Sequence, residues 1–292
     1  RQAPVWHPDA RYFELEDQGQ VIGGFFFDIY ARTGKRGGAW MNGFRSRMQT
    51  LHGLQKPICY MVCNFTPPVG DQPALLTHDE VITLFHEFGH GLHHMLTEVD
   101  NISVAGTHGV AWDAVALPSQ FMEFWSWDKE SLDVLSEHID SKQTLPQELL
   151  DALLNARFFQ SGMQTLRQLE FALFDLTIHT KTPALNSEQI QQNLNDIRKQ
   201  YAVVPTVDYN RFQHSFSHIF AGGYAAGYYS YKWAEVLASD AFDRFENEGI
   251  FNTQTGKEFR QAILAVGGKD TALEAFVNFR GREPKIDALL RH

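Results

Sequence analysis

The clearest pattern of hydrophobic and polar positions in this chain is a helical one that begins after residue 77. Apolar side chains recur three or four positions apart, at Val81, Leu84, Phe85, Phe88, Leu92, Met95 and Leu96. This spacing predicts an amphipathic helix that packs one face into a core. Thr77 and Glu80 precede the run with the spacing of a capping box, in which each side chain satisfies a backbone N–H group of the first turn. The sequence therefore predicts both the helix and its starting point.

Two stretches before this helix have the β-branched and aromatic content of strands. They cover residues 22–30 and 57–65, with a glycine-rich turn or loop at residues 33–38 between them and a break at residues 67–71 after them. We therefore expect a small sheet that precedes the helix. An exposed sheet edge can pair with an extended peptide, so this sheet either holds peptide backbone or is a purely structural hairpin.

Nearly all of the chain beyond residue 110 has helical patterning. A loop is predicted at residues 106–109, and breaks are predicted at Pro183, Pro205 and the pair Gly267-Gly268. No repeat, low-complexity tract or linker divides the sequence, so we expect one mainly α-helical domain over residues 1–292. The predicted helices cover residues 113–127, 146–179, 187–201, 223–248, 255–266 and 270–279.

The net charge limits the partners of the protein, and the first residues bear on the length of its chain. The formal net charge of −10 over 292 residues argues against nucleic acid or an anionic membrane surface as a partner. No apolar run approaches the roughly 20 residues that span a bilayer. The chain starts without Met and without a signal peptide. We therefore expect this sequence to be part of a longer chain. We also expect the protein to be monomeric.

Cys59 and Cys63 lie in the second predicted strand. Four residues of extended chain separate them by roughly 13 Å, which is too far for a disulfide bond. We therefore expect two free thiols and a reducing, cytoplasmic location.

His86, Glu87 and His90 give the capped helix its candidate chemistry. The two histidines are four positions apart, so both imidazoles leave the same side of the helix one turn from each other. Two nitrogen ligands for zinc, with a carboxylate beside them that takes a proton from metal-bound water, form the His-Glu-x-x-His arrangement. Gly89 and Gly91 weaken a helix interior, so we expect another part of the chain to approach the helix closely there.

A catalytic zinc site needs a third protein ligand and leaves its fourth position to water. His108, Asp113 and Glu123 are the nearby candidates, and spacing alone does not choose among them. His93 and His94, further along the helix, are expected to be structural histidines with satisfied hydrogen bonds.

A second cluster of aromatic residues follows a glycine-rich segment. Tyr224, Tyr228 and Tyr231 occupy positions i, i+4 and i+7 on one face of the predicted helix. Such a stripe is either core packing or part of a functional site, and the glycine-rich entry favours function because it can move or admit a close backbone. His214 and His218 are also four apart, but no carboxylate lies at the intervening position, so we expect no metal there.

Residues 85–94, with the sequence Phe-His-Glu-Phe-Gly-His-Gly-Leu-His-His, resemble the zinc helix of the thimet oligopeptidase family. The similarity runs over essentially the whole chain. Members of the family are much longer, so this chain resembles their catalytic half. The other similar stretches are residues 31–32, 34–41, 77–81, 117–123, 221–229 and 279–284.

The resemblance implies a zincin-like catalytic domain that binds one zinc ion and hydrolyses short peptides. It assigns His86 and His90 to the metal. It makes Glu87 the base that accepts a proton from the zinc-bound water and passes it to the leaving amine. The remaining implied roles are stabilisation of the tetrahedral oxyanion by His218 and Tyr224 and substrate contact by Tyr228 and Tyr231.

This chain departs from the family at the third zinc ligand. The family carries a Glu immediately before a Leu-Pro-Ser-Gln sequence, and here that position is Ala116. Glu123 lies roughly 10.5 Å further along a continuous helix, so we expect it to orient a ligand imidazole rather than bind zinc. Ala116 is either an engineered substitution that allows substrate binding without cleavage, which the retention of the other site residues favours, or the mark of a natural pseudo-enzyme.

The sequence therefore predicts a zinc-dependent oligopeptidase that is impaired by the loss of one ligand. The alternative is an inactive protein that binds peptides without cleaving them. A zinc hydrolase that acts on other amides is a further alternative.

Overall fold

The fold is given by a computed structural model that describes residues 3–291. Strands come first and helices follow. The strands are β1 (Arg11–Asp17), β2 (Gln20–Tyr30), β3 (Trp40–Arg45), β4 (Met48–Thr50), β5 (Gly53–Gln55) and β6 (Ile58–Phe65). The α-helices are α1 (His78–Met95), α2 (Trp112–Val115), α3 (Leu117–Glu123), α4 (Lys129–Leu135), α5 (Gln147–Arg157), α6 (Ser161–Thr180), α7 (Ser187–Tyr201), α8 (Ser217–Phe220), α9 (Ser230–Glu248), α10 (Thr253–Phe259) and α11 (Ala272–Arg280). A mainly helical fold with a small sheet beside the capped helix is therefore confirmed.

The chain divides into two compact units. Arg1–Leu145 together with Glu235–His292 form the first unit, and Pro146–Ala234 form the second. Helix α9 begins in the second unit and continues in the first. The prediction of a single catalytic domain over residues 1–292 stays a prediction. No helix within residues 3–291 combines the length and apolar character that a membrane crossing needs.

The main sheet of the first unit has the strand order β1-β2-β6-β3. Strands β2 and β6 run parallel, whereas β1 and β3 each pair with their neighbours in antiparallel fashion. Strand β3 therefore lies at an edge of the sheet. Both cysteines lie on β6 as free, buried thiols, which confirms the prediction of two free thiols. Burial raises the pKa of each thiol to about 12, so neither is a thiolate at neutral pH.

An ion-pair network joins the end of β2 to the basic residues that follow it. The Asp28 carboxylate is buried and accepts hydrogen bonds from Arg32 at 2.6 Å and from Lys35 at 2.9 Å. Burial alone would raise the pKa of Asp28, but these hydrogen bonds hold it well below its ordinary value. The basic residues therefore stabilise the end of the strand. A comparable network at the chain's C-terminal end joins Asp240 to Arg280 and Arg282.

Aromatic side chains fill the helical core of the first unit. Phe121 of α3 stacks on Phe259 of α10 with ring centroids 3.9 Å apart, and Phe276 of α11 is fully buried. Burying one such side chain contributes about 1.5–3 kcal/mol. This core holds α3 in place, and α3 in turn packs against α1.

Two of the predicted helices are interrupted. The helix predicted over residues 113–127 consists of α2, α3 and a 3-10 turn, with a break at Ala116 (φ −89°, ψ 1°) just before Pro118. A proline favours a helix start because it has no N–H group to pair. The helix predicted over residues 146–179 is also broken, between α5 and α6, where Gln160 has left-handed backbone with φ 56°.

The second unit is built around α6 and α7. Phe174 and Leu194 are completely buried between these helices, and α7 covers the residues predicted for it. The helix predicted from residue 223 begins only at Ser230, and residues 221–229 form turns instead. Positive φ angles at Gly223 (86°) and Ala226 (54°) are incompatible with a right-handed helix.

Candidate functional site

Helix α1 starts and packs as the sequence predicts. The Thr77 hydroxyl accepts from the backbone of Glu80, and the Glu80 carboxylate accepts from the backbone of Thr77 at 2.8 Å, which completes the capping box. The close approach at Gly89 is real, because a Cβ there would lie 2.3 Å from the carbonyl oxygen of Pro118. A Cβ on Gly91 would lie 2.9 Å from the sulfur of Met61. The two glycines therefore let α1 pack directly on α3 and on the sheet.

His86 and His90 project from the same side of α1. Their ring centroids are 5.0 Å apart and the rings are inclined by 80°. Nδ1 of His86 lies 2.5 Å from Oε1 of Glu123 on α3. A neutral imidazole whose Nδ1–H donates to a carboxylate has its lone pair on Nε2, which is the nitrogen that is then available to a metal. The close packing of α1 on α3 is what brings Glu123 to this ring.

Neighbouring charges act differently on the two histidines. Burial lowers the pKa of His86, but the hydrogen bond and charge of Glu123, with the charge of Glu87, more than offset it, so that pKa is raised. Burial, together with the charge of His86, holds the pKa of His90 well below its ordinary value. His90 is therefore neutral at pH 7 and able to act as a nitrogen ligand.

Glu87 is a buried carboxyl group on the same helix. It is only 5% exposed, and its Oε2 atom has no hydrogen-bond partner among residues 3–291. Burial raises the pKa of Glu87 to about 7, although the charge of His86 and a hydrogen bond from the backbone of Met41 lower it. Met41 lies on the edge strand β3. The sequence did not indicate this contact, because strand β3 itself was not predicted.

The position expected to carry the third metal ligand has an alanine side chain, which cannot coordinate a metal. Ala116 is 1% exposed and lies at the junction of α2 and α3. Among the other candidates for this ligand, His108 has its Nδ1 atom 3.2 Å from the carbonyl oxygen of Ala105. Within residues 3–291, no group of three or more His, Cys, Asp or Glu side chains has the placement that a metal ion requires. Among the residues described by the structure, His86 and His90 are the two candidate nitrogen ligands that share one side of α1.

The two histidines that end α1 differ from each other. Nε2 of His94 lies 3.0 Å from the carbonyl oxygen of Arg45, as expected of a structural residue. His93 is 3% exposed, and neither of its ring nitrogens has a hydrogen-bond partner in the described part of the chain. The expectation of satisfied hydrogen bonds is therefore wrong for His93. Burial lowers its pKa to about 4, so the ring is neutral at pH 7.

The tyrosines predicted to share one helix face do not do so. Only Tyr231 lies in α9, whereas Tyr224 and Tyr228 belong to the turns before it. The rings still meet: Tyr231 stacks on Tyr224 at 4.8 Å and lies 5.1 Å from Tyr228 between centroids. His218, on α8, has its ring 5.8 Å from that of Tyr228. The second unit therefore brings all four predicted residues together through turns.

Exposure separates the members of this cluster. His218 is exposed and Tyr224 and Tyr231 are half-buried, but Tyr228 is buried. The Tyr228 hydroxyl donates to Oε1 of Gln168 at 3.0 Å. Burial raises the pKa of the Tyr228 hydroxyl to about 12. Tyr228 is thus a core residue of the second unit.

Comparison with known proteins agrees with this architecture. Residues 1–292 match the family model of peptidase family M3, and the chain belongs to that family. Oligopeptidase A of Escherichia coli strain K12 is 55% identical over 290 residues. A protein of Arabidopsis thaliana described as probable cytosolic oligopeptidase A is 49% identical over 300 residues.

The matches cover nearly all of this chain but less than half of each relative. In both cases the similarity extends over 99% of this chain and 43% of the relative, so the chain spans a little over two fifths of their length. A solved structure of PZ peptidase A with inhibitor 2 has a TM-score of 0.54 at 17% identity, over 91% of this chain and 42% of that one. This last likeness supports the fold alone.

Proposed function

We propose that this chain is the catalytic half of a metallo-oligopeptidase for short peptides, in which hydrolysis is impaired because Ala116 replaces the third zinc ligand. The observation that carries the proposal is the arrangement on α1. His86 and His90 leave one side of the helix, Glu87 is buried beside them, and Glu123 lies 2.5 Å from Nδ1 of His86. Membership of peptidase family M3 supports the reaction class.

The chain's own residues account for binding and proton transfer. In a complete site, a zinc ion would polarise the scissile carbonyl group and lower the pKa of a bound water. Glu123 orients His86 so that Nε2 is free to coordinate. Glu87 is suited to take a proton from that water and return it, because its buried carboxyl group lies beside the two histidines on the same helix.

As substrate we propose an extended short peptide that lies along strand β3. This strand is at the edge of the sheet, and the backbone of its Met41 reaches Glu87. An exposed edge can add a peptide strand through main-chain hydrogen bonds. The same edge would bring peptide backbone close to the proposed base.

The second unit's contribution is proposed separately. We assign oxyanion stabilisation to His218 and Tyr224, and substrate contact to Tyr228 and Tyr231. The clustering of the rings supports a shared role, and a well-aimed donor is worth about 3–4 kcal/mol of transition-state stabilisation. Because the Tyr228 hydroxyl is bound to Gln168, its contact with peptide would be through the small part of its ring that remains exposed.

A monomeric, cytoplasmic protein is part of the proposal. The two buried free thiols support a reducing compartment. The net charge of −10 supports small peptides rather than nucleic acid or an anionic membrane as partners.

The test is hydrolysis of an internally quenched peptide by this chain and by Ala116→Glu, both in excess zinc. We expect the Glu variant to cleave at least about 100-fold faster, since a third ligand should complete the site. A further Glu87→Gln change in that variant should remove the gain. Equal rates for this chain and the Glu variant would contradict the proposal.

A peptide-binding pseudo-enzyme is the second candidate, and the lack of a coordinating side chain at Ala116 favours it. It predicts saturable peptide binding without turnover in excess zinc. It also predicts that Ala116→Glu restores little or no hydrolysis. Measuring peptide binding by this chain and hydrolysis by this chain and Ala116→Glu therefore separates an impaired enzyme from a binding protein.

A further inference from the structure

The segment that carries two of the candidate tyrosines has no regular secondary structure of its own. Residues 221–229, which we call the tyrosine loop, run through turns between α8 and α9. Ala226 within it has a positive φ of 54°. Left-handed backbone is unfavourable for a residue with a side chain, so such a conformation persists only where other contacts fix it.

A buried carboxylate on α6 provides these contacts. Oδ1 of Asp175 accepts a hydrogen bond from the backbone N–H of Ala226 at 2.9 Å, and Oδ2 accepts one from the backbone N–H of Tyr228 at 2.9 Å. Nδ1 of His179, one turn along the same helix, lies 2.8 Å from Oδ1. Asp175 is 0% exposed. A buried charge needs such partners, and two of the three come from the loop.

The same helix also holds the side chain of Tyr228. The hydroxyl of Tyr228 donates to Gln168 at 3.0 Å, and Gln168 lies two turns before Asp175 on α6. The ring of Tyr228 lies 5.1 Å from that of Tyr231. Helix α6 thus fixes the backbone of Tyr228 at one point and its side chain at another.

We propose that Asp175 is a positioning residue, which fixes the tyrosine loop and with it Tyr224 and Tyr228 in the conformation that receives peptide. The inference rests on the proposed function of these tyrosines. A carboxylate is suited to the position because both of its oxygens accept hydrogen bonds. The amide of an Asn would offer one acceptor and one donor group, so it would lose one of the two loop contacts at almost unchanged size.

The first test compares Asp175→Asn with Glu170→Gln in the full chain. Glu170 is a matched control, because it is a buried carboxylate of the same helix, 1% exposed, that pairs with Arg167 and Arg198 instead of the loop. Hydrogen exchange read by mass spectrometry should accelerate about tenfold or more over residues 221–229 in Asp175→Asn only. Unchanged exchange of the loop in folded Asp175→Asn would overturn the proposal.

The second measurement needs no variant and covers the case in which Asp175→Asn does not fold. In the unsubstituted chain, the amide of Ala226 should exchange more slowly than that of Ala225, although both residues are exposed. The hydrogen bond to Asp175 is the reason for the difference. Equal exchange of these two amides would overturn the proposed anchor.

A binding measurement shows whether Asp175 positions the tyrosine loop for peptide or has only a structural role. The probe is the peptide Ala-Ala-Phe-Ala-Ala with an N-terminal fluorescein, followed by fluorescence anisotropy. We expect Kd to rise about fivefold or more in Asp175→Asn and to stay unchanged in Glu170→Gln, because a loosened loop must be ordered on binding. A loosened loop with unchanged affinity would overturn the positioning role. If the unsubstituted chain binds no peptide, the proposed function fails, and the exchange data still decide whether Asp175 fixes the loop.

Discussion

Nδ1 of His86 lies 2.5 Å from Oε1 of Glu123, and this contact determines which nitrogen His86 can offer to a metal. The two residues are 37 positions apart and meet because Gly89 lets α1 pack directly on α3. A carboxylate in this position fixes the tautomer of the ring and raises its basicity. The orientation of one candidate ligand therefore depends on helix packing as much as on the ligand itself.

Glu123→Gln should weaken zinc binding in the Ala116→Glu variant by about tenfold, because it removes the charge that holds and polarises His86. Competition with a chromophoric chelator measures the affinity. Glu130→Gln is the control, since Glu130 is an exposed carboxylate on α4. Equal zinc affinity for the Glu123→Gln and Glu130→Gln forms would show that the contact has no influence on the metal.

Glu87→Gln should stabilise the metal-free chain at alkaline pH. The folded pKa of Glu87 is about 7 and the reference value is 4.5, so the ionised form is penalised in the folded state. The penalty grows as pH rises from about 4.5 to 7 and then stays level at about 3 kcal/mol. Urea unfolding in the presence of a chelator should therefore show Glu87→Gln to be more stable at pH 8, with a smaller advantage at pH 6. An advantage that does not change with pH would contradict the raised pKa.

Gly89→Ala should destabilise the chain by about 1–3 kcal/mol or more, because the added methyl group would lie 2.3 Å from the carbonyl oxygen of Pro118, a backbone atom that moves only with α3. Gly256→Ala is the matched control. Gly256 lies in helix α10, and a Cβ added to it would meet no neighbouring atom of residues 3–291 within 4 Å, so this substitution should stabilise by about 0.5–1 kcal/mol. Thermal unfolding of both variants tests the difference, and equal effects would contradict the close packing of α1 on α3.

Local patterns were sufficient to predict α1, its cap and the two free cysteines. Thr77 and Glu80 contact each other within one turn, and the β-branched and aromatic residues around Cys59 and Cys63 are typical of a strand. These features depend on neighbours in the sequence. The close approach at Gly89 was also foreseeable, because a glycine inside a helix needs a reason.

The features that the sequence did not reveal depend on distant partners. The tyrosine spacing suggested a helix, but the turns of the tyrosine loop are held by Asp175, which lies 51 positions from Ala226. Likewise, Met41 reaches Glu87 from a strand whose polar and glycine residues gave no strand signal. Periodicity reports local preference, and tertiary hydrogen bonds can override it.

Zinc stoichiometry tests the central claim most directly. This chain and Ala116→Glu are loaded with zinc, dialysed against a weak chelator and analysed for bound metal. We predict close to one zinc ion per chain for the Glu variant and almost none for this chain, because two histidines alone do not complete the site. Equal zinc content in the two proteins would contradict the account, since another residue would then supply the third ligand and Ala116 would not impair the site.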